Sequence, residues 1–153
     1  MLYNSRYRIM INAYITFNGN CREAMTFYRE CLGGELSLQT IGASPLSNEM
    51  PSRMKDAILH ATLVNENIVL MGSDISGENG VVYGNAVSLF LSCRTKNEIQ
   101  RLYRKLSKGG KKTSPLQINF WGALFGSLID PFGNQWLLYF KRKRMERFDF
   151  IPK

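Results

Sequence analysis

His60 is the only histidine in a chain of 153 residues, and it is the side chain best suited to moving a proton near neutral pH. On a strand it alternates with Ile58, Thr62 and Val64 and shares their face. Two readings follow: a half-buried, hydrogen-bonded structural histidine, or a cleft residue that donates a hydrogen bond to a ligand or acts as acid/base. No partner that would orient a general base is identifiable from the sequence. The aromatic residues Phe17, Trp121, Trp136 and Tyr139 could wall an apolar cleft, with Asn12, Gln135 or Asp74 as its few polar groups. Each aromatic is equally a candidate for ordinary core packing, and Asp74 for a plain turn residue. Trp121, in Phe120-Trp121-Gly122, is the foremost pocket-wall candidate because the neighbouring glycine permits close approach. The candidate site is therefore His60 for catalysis and Asn12, Phe17, Trp121, Gln135 and Tyr139 for ligand binding.

The three cysteines are Cys21, Cys31 and Cys93. The first two lie ten residues apart on one expected helix, about 15 Å from each other and beyond disulfide reach. No CxxC or Cys/His pairing points to zinc, so reduced structural thiols are expected. The net charge is +8, and the segment from Lys141 onward holds six cations against Glu146 and Asp149. This reads as a solvated basic tail, and without a reader motif no nucleic-acid partner is expected. No apolar run reaches the roughly 20 residues of a membrane span, and no signal peptide is visible, so a cytoplasmic location without membrane contact is the expectation.

The elements that would position these groups come in duplicate. Glu23-Ala24-Met25-Thr26-Phe27-Tyr28-Arg29 with Gly33-Gly34 recurs as Glu98-Ile99-Gln100-Arg101-Leu102-Tyr103-Arg104 with Gly109-Gly110. Around each copy the order is the same. Ile9 to Phe17 suits a strand, Asn20 is a candidate helix N-cap, and Ala24, Phe27, Tyr28, Cys31 and Leu32 form an amphipathic stripe that Gly33-Gly34 ends. A strand over Glu35 to Ile41 and a loop over Gly42 to Arg53 come next. The hairpin Ala57 to Val64 and Ile68 to Met71 then turns at Asn65-Glu66-Asn67. A glycine-rich connection, Gly72 to Gly84, leads to the second set. That set has a strand over Ala86 to Cys93, a helix over Lys96 to Ser107 and an extended stretch near Lys111 to Pro115. A hairpin of Gly122 to Ile129 and Gln135 to Phe140 closes at Asp130-Pro131-Phe132-Gly133-Asn134. Each half is βαβββ, giving modules at 10–74 and 85–140 within one domain (10–140), a linker at 75–84, an N-terminal extension at 1–9 and the tail at 141–153.

A tandem βαβββ with Gly-Gly after each helix and a DPxGN turn before the last strand resembles the vicinal oxygen chelate superfamily. Ala13-Tyr14-Ile15-Thr16-Phe17-Asn18-Gly19-Asn20, Leu59-His60-Ala61, Leu70-Met71-Gly72-Ser73-Asp74, Phe120-Trp121-Gly122 and the Asp130 to Trp136 turn are similar to its PhnB-like, glyoxalase/bleomycin-resistance-like branch. The resemblance implies an α+β fold of two facing, partly open mixed sheets around a cleft. It also implies a homodimer and a histidine at the place of His60.

The resemblance further implies one divalent metal held by His and Glu from four strands and acting as a Lewis acid. The matching places carry Asn12, the ligand-free stretch Ile68 to Met71, Asn85 or Val87, and Leu137. Amide and aliphatic groups are poor ligands for such an ion, so no metal site and no cofactor are expected. The branch also carries a demethylubiquinone methyltransferase label. No strand–Gly-rich loop–helix unit for a methyl-donor cofactor is visible, because the glycine pairs follow helices. The function expected is metal-independent binding of a small apolar or aromatic molecule in the inter-module cleft. The alternative is a lyase- or dioxygenase-like enzyme using a divalent metal or His60 as acid/base.

Overall fold

The computed structural model describes residues 9–142. The first eight residues and all but the start of the expected basic tail lie outside the described residues. The chain divides into two compact units, 1–81 and 82–153, and each repeats the other's element order.

In the first unit, β1 (Ala13–Thr16) leads into α1 (Cys21–Leu32), followed by β2 (Glu35–Thr40), β3 (Ile58–Asn65) and β4 (Ile68–Ser73). The sheet order is β1-β4-β3-β2, with β1 parallel to β4 and the other pairs antiparallel. The second unit runs β5 (Leu89–Ser92), α2 (Lys96–Ser107), β6 (Lys111–Ile118), β7 (Leu124–Ile129) and β8 (Gln135–Phe140). Its order, β5-β8-β7-β6, is the same design, with β5 parallel to β8. The fold is α+β with two mixed four-stranded sheets, as expected.

The first strand of each unit is shorter than its strand-forming sequence. Parallel pairing sets Ala13 opposite Leu70, and β4 begins only two residues earlier, so the ladder runs out at Ile11 and Ile9 to Asn12 stay exposed outside the strand. Leu89 pairs with Trp136, one residue into β8, and Ala86 to Ser88 likewise lie outside β5. Both strands end alike: the Phe17 amide donates to the Ser73 carbonyl and the Cys93 amide to the Tyr139 carbonyl, at 2.8 and 2.7 Å.

Helix α1 buries Cys21, Ala24, Met25, Tyr28 and Cys31, so Met25 belongs to the core stripe while Phe27 and Leu32 are only half-buried. Asn20 does not cap it through its side chain. Asp74, from the far end of β4, does so: its Oδ1 accepts from the Cys21 amide at 2.9 Å and its Oδ2 from the Ile58 amide at 2.8 Å. One carboxylate thus satisfies an orphan helix donor and joins β3 to α1, an arrangement that local spacing does not announce. Helix α2 is capped locally. Thr95 Oγ1 accepts from the Glu98 amide at 3.0 Å, and Glu98 Oε2 accepts from the Arg94 amide at 2.7 Å, a reciprocal arrangement of the capping-box type. The glycine pairs stop both helices, with Gly33 at φ 74° and Gly109 at φ 80°. The loop expected over Gly42 to Arg53 contains two short 3-10 turns, Pro45–Asn48 and Ser52–Met54.

Candidate functional site

Each sheet has a face under its helix and an open face, and the period-2 alternation of strands decides which side chains go where. In the first unit Leu36 and Leu38 on β2, Ala61 and Leu63 on β3 and Leu70 on β4 point toward α1. The open face carries what lies between them. Tyr14 stands opposite Met71, Met71 opposite Thr62, and Thr62 opposite Ser37, with His60 opposite Gln39 in the next row. The same rule in the second unit sends Trp136 and Leu138 to α2. It leaves Phe90 opposite Leu137, Leu137 opposite Ser127, and Tyr139 opposite Phe125 on the open face.

His60 is half-buried among these neighbours. Its Nε2 lies 3.0 Å from Thr62 Oγ1, and either atom is the donor depending on the imidazole tautomer. The Tyr14 ring lies against it, with centroids 5.8 Å apart. Among the described residues Nδ1 has no hydrogen-bond partner, so one ring nitrogen is held and the other is open to a ligand. In the second unit Phe90, the residue equivalent to Tyr14, lies against Tyr139 of β8, with centroids also 5.8 Å apart. Tyr14 and Phe90 are each the second residue of their module's first strand, and each is about half exposed, at 53% and 44%. An antiparallel sheet whose second face is merely wet carries polar residues there. These faces carry, beside polar residues such as Ser37, Gln39, Thr62 and Ser127, the apolar Tyr14, Val64 and Met71, and Phe90, Phe125 and Leu137.

The candidate residues separate on this frame. His60 lies half-buried on the open face of the first unit, whereas Tyr139, on the corresponding side of the second sheet, is only 5% exposed. Phe17 is 1% exposed and sits in the core over Gly72, where an added Cβ would meet its ring at 2.8 Å. Trp136 is likewise core, its indole N–H donating to Asp130 Oδ2 at 2.8 Å. Gln135 uses its amide to hold the chain before β5, donating to the carbonyls of Gly84 (3.2 Å) and Val87 (3.4 Å). Trp121 is 52% exposed at the tip of the β6–β7 turn, its ring 3.9 Å from that of Phe120. Asn12 is exposed just before β1. Tyr14 and Phe90 escape a sequence reading because an aromatic inside a strand carries no mark of the face it takes. Their signal, an aromatic at the same place in both first strands, emerges once the modules are superposed by element.

The divalent ion implied by the superfamily does not fit these residues. Leu137, at the place of the expected carboxylate, presents an aliphatic side chain between Phe90 and Ser127. Among the described residues no three of His, Cys, Asp and Glu come together, and the amide and aliphatic side chains at the ligand places supply neither the imidazole nor the carboxylate of the expected set.

The three cysteines are buried and none is in a disulfide. Burial pushes Cys21 up to about 12 from 9.0, with Asp74 adding to the shift and Arg22 opposing it. Cys93 is pushed to about 12 by burial and then Glu98, against Arg101. A thiol whose pKa is higher folded than unfolded stabilises the fold fully below about pH 9, and that contribution is lost as pH rises toward 12. The urea midpoint is therefore expected to fall progressively above about pH 9, and to fall less steeply in Cys21→Ala and Cys93→Ala. An identical pH slope in wild type and both variants would exclude the thiols as its cause.

Two βαβββ modules, each with the first strand parallel to the last and an aromatic on the open face of that first strand, define a protein of the vicinal oxygen chelate superfamily. The family model described as 3-demethylubiquinone-9 3-methyltransferase matches residues 10–139, and the chain belongs to that family, the PhnB-like branch of the superfamily. It is 31% identical over 141 residues to Protein YjdN of Escherichia coli K12, covering 84% of this chain and 92% of the relative. Among solved structures it is similar to protein PA1353 from Pseudomonas aeruginosa, with TM-score 0.78 and 37% identity over 88% of this chain and 98% of that one. A PhnB protein from Bacillus cereus gives 0.70 and 26% over 87% and 100%. A glyoxalase/bleomycin resistance protein/dioxygenase family enzyme from Burkholderia phytofirmans, at 0.58 and 12% over 84% and 96%, shares the fold. No described helix is long and apolar enough to cross a membrane.

Proposed function

We propose that this chain binds a small apolar or aromatic molecule without a metal, on the open faces of its sheets. The observation that carries this reading is an exposed aromatic at the equivalent place in each module's first strand, Tyr14 against the His60 ring and Phe90 against the Tyr139 ring. Aromatic side chains supply large apolar area with preferred ring geometry, and the Thr62–His60 pair supplies one oriented polar contact, the pattern of a small-molecule site. The working form in this reading is a cytoplasmic homodimer. Methyl transfer, the activity in the family description, finds no support in the glycine pairs, which lie at helix ends against strand backbone.

The same His60, with Nδ1 open, underlies the second reading, a lyase- or dioxygenase-like enzyme using it as acid/base. Titration with the fluorescent apolar probe anilinonaphthalene sulfonate, in the presence of chelator, tests the first. Saturable binding that is unchanged by chelator and about tenfold weaker in Tyr14→Ala and in Phe90→Ala is expected. Binding that chelator abolishes, or that both variants leave intact, would overturn it. Turnover of any compound that His60→Gln abolishes while probe affinity stays within about twofold would favour the enzyme.

A further inference from the structure

The positive charge of this chain is not confined to its C-terminal tail. Residues 82–142 hold ten cations against Glu98 and Asp130, whereas residues 9–81 hold four against eight. The excess is gathered on α2 and the edge strand β6. Arg101, Arg104, Lys105 and Lys108 recur at i, i+3, i+4 and i+7, so at 3.6 residues per turn they fall within an arc of about 100°. That arc lies opposite Ile99, Leu102 and Leu106, which pack on the sheet. Lys112, opposite the buried Leu128, continues the row past the Gly-Gly stop, its Nζ 5.5 Å from the Tyr103 ring centroid beside the helix, while Lys111 stands on the other face of the same edge strand. All six are exposed. Glu98 is engaged with Arg94 at 3.6 Å.

The duplication provides an internal control. Helix α1 occupies the same place in the first unit with Arg22 and Arg29 against Glu23 and Glu30, so the fold itself does not require a cationic helix. Cations in a last helical turn are favoured by the helix dipole, which accounts for Arg104 and Lys105 but not for Arg101, Lys111 or Lys112. Like charges one turn apart repel by a few tenths of a kcal/mol per pair, so the ridge costs stability unless an anion covers it.

We propose that the ridge of α2 and β6 docks the phosphate backbone of a nucleic acid without reading its bases. The charges form a row one helix wide, with i, i+3 and i, i+4 neighbours about 4.5–6 Å apart along the axis, which suits a line of phosphates. A lipid surface would engage a broad plane and gain from apolar groups inserted beside the charges. No large apolar residue is exposed between Lys96 and Lys112. Backbone contacts of this kind give affinity through counterion release and carry no sequence information.

The test is fluorescence anisotropy of a labelled 20-base-pair duplex with the full chain, across a salt series starting at about 50 mM. Binding is expected with a log–log salt slope of about −4 or steeper. The triple variant Arg101→Gln, Arg104→Gln, Lys105→Gln should bind at least tenfold more weakly, its slope reduced by about one per cation removed. A chain with Lys143, Arg144, Arg147 and Lys153 changed to Gln should retain most of the binding. Absence of binding at the lowest salt would overturn the proposal. So would loss of binding in the tail variant with the ridge variant unaffected, or tight binding to phosphatidylserine vesicles that the duplex does not compete away.

Discussion

Replacing Gly34 or Gly110 by alanine is expected to destabilise its unit by about 3–5 kcal/mol, read as a shift in urea midpoint at constant slope. The two glycines are second in their pairs and hold equivalent places. A Cβ on Gly34 would drive into the Val64 carbonyl oxygen and lie 2.7 Å from Asn65 Cβ. A Cβ on Gly110 would drive into the Ile129 carbonyl oxygen and lie 2.8 Å from the Asp130 carbonyl carbon. In each case the obstacle is mostly backbone at the end of a hairpin strand, which cannot rotate aside, and overpacking of this kind costs about 1–3 kcal/mol or more. Gly34 adds a φ of 98°, which L-residues avoid by roughly 1–2 kcal/mol.

The first glycines separate the two causes. Gly33 and Gly109 have positive φ but meet nothing closer than 3.5 Å, so Gly33→Ala and Gly109→Ala should cost only the backbone strain of about 1–3 kcal/mol. Equal losses at first and second positions would show that helix termination alone explains the pairs. A methyl that fits at Gly110 without loss would remove the close approach from the account.

This contrast also marks what is legible in the sequence. The repeat, the helix stripes and the turn residues are local signals with fixed periods, and they lead to both modules, their order and most element bounds. Contacts between segments far apart in sequence are not legible. Asp74 reads as a turn residue because its partners, Cys21 and Ile58, lie 53 and 16 positions away. Asn20, with the right residue type at the right place, leaves the cap to it, and its Oδ1 is buried without a partner among the described residues. The site is partly legible for the same reason. His60 stands out as the only histidine, and its alternation with Thr62 matches the hydrogen bond between them. Phe17 and Trp136 do not declare their direction, because Phe17 lies just past the end of β1 and the Trp136 strand, QWLLYF, is apolar at nearly every place and gives no polarity contrast. Charge, too, is conspicuous where it is densest in the sequence, at the terminus, whereas a helix gathers cations spaced three and four apart into a row that a linear count disperses.

Asp130→Ala is expected to cost about 3–5 kcal/mol and to alter the near-UV signal of Trp136. The carboxylate is 2% exposed and serves three donors. Its Oδ1 accepts from the amides of Phe132 (2.9 Å) and Asn134 (3.0 Å), and its Oδ2 from the Trp136 indole. Removing it leaves two turn amides and a buried indole N–H without their acceptor, at about 1–3 kcal/mol for each buried donor. Water can reach the turn amides, since Phe132 and Asn134 are half-buried, but Trp136 at 2% exposed has no such relief. Asp130→Asn distinguishes the contributions. Its single carbonyl oxygen can serve the turn or the indole, and the amide N–H₂ then faces a donor on the other side, so a loss of about 1–3 kcal/mol is expected. A loss below about 1 kcal/mol in Asp130→Ala would mean that Gly133, at φ 87°, and Pro131 hold the turn alone. The larger loss would identify the DPxGN turn, part of what ties this chain to its family, as a lock between hairpin and core. The family signature then records how the sheet is closed, and the proposed binding rests on the open faces around Tyr14 and Phe90.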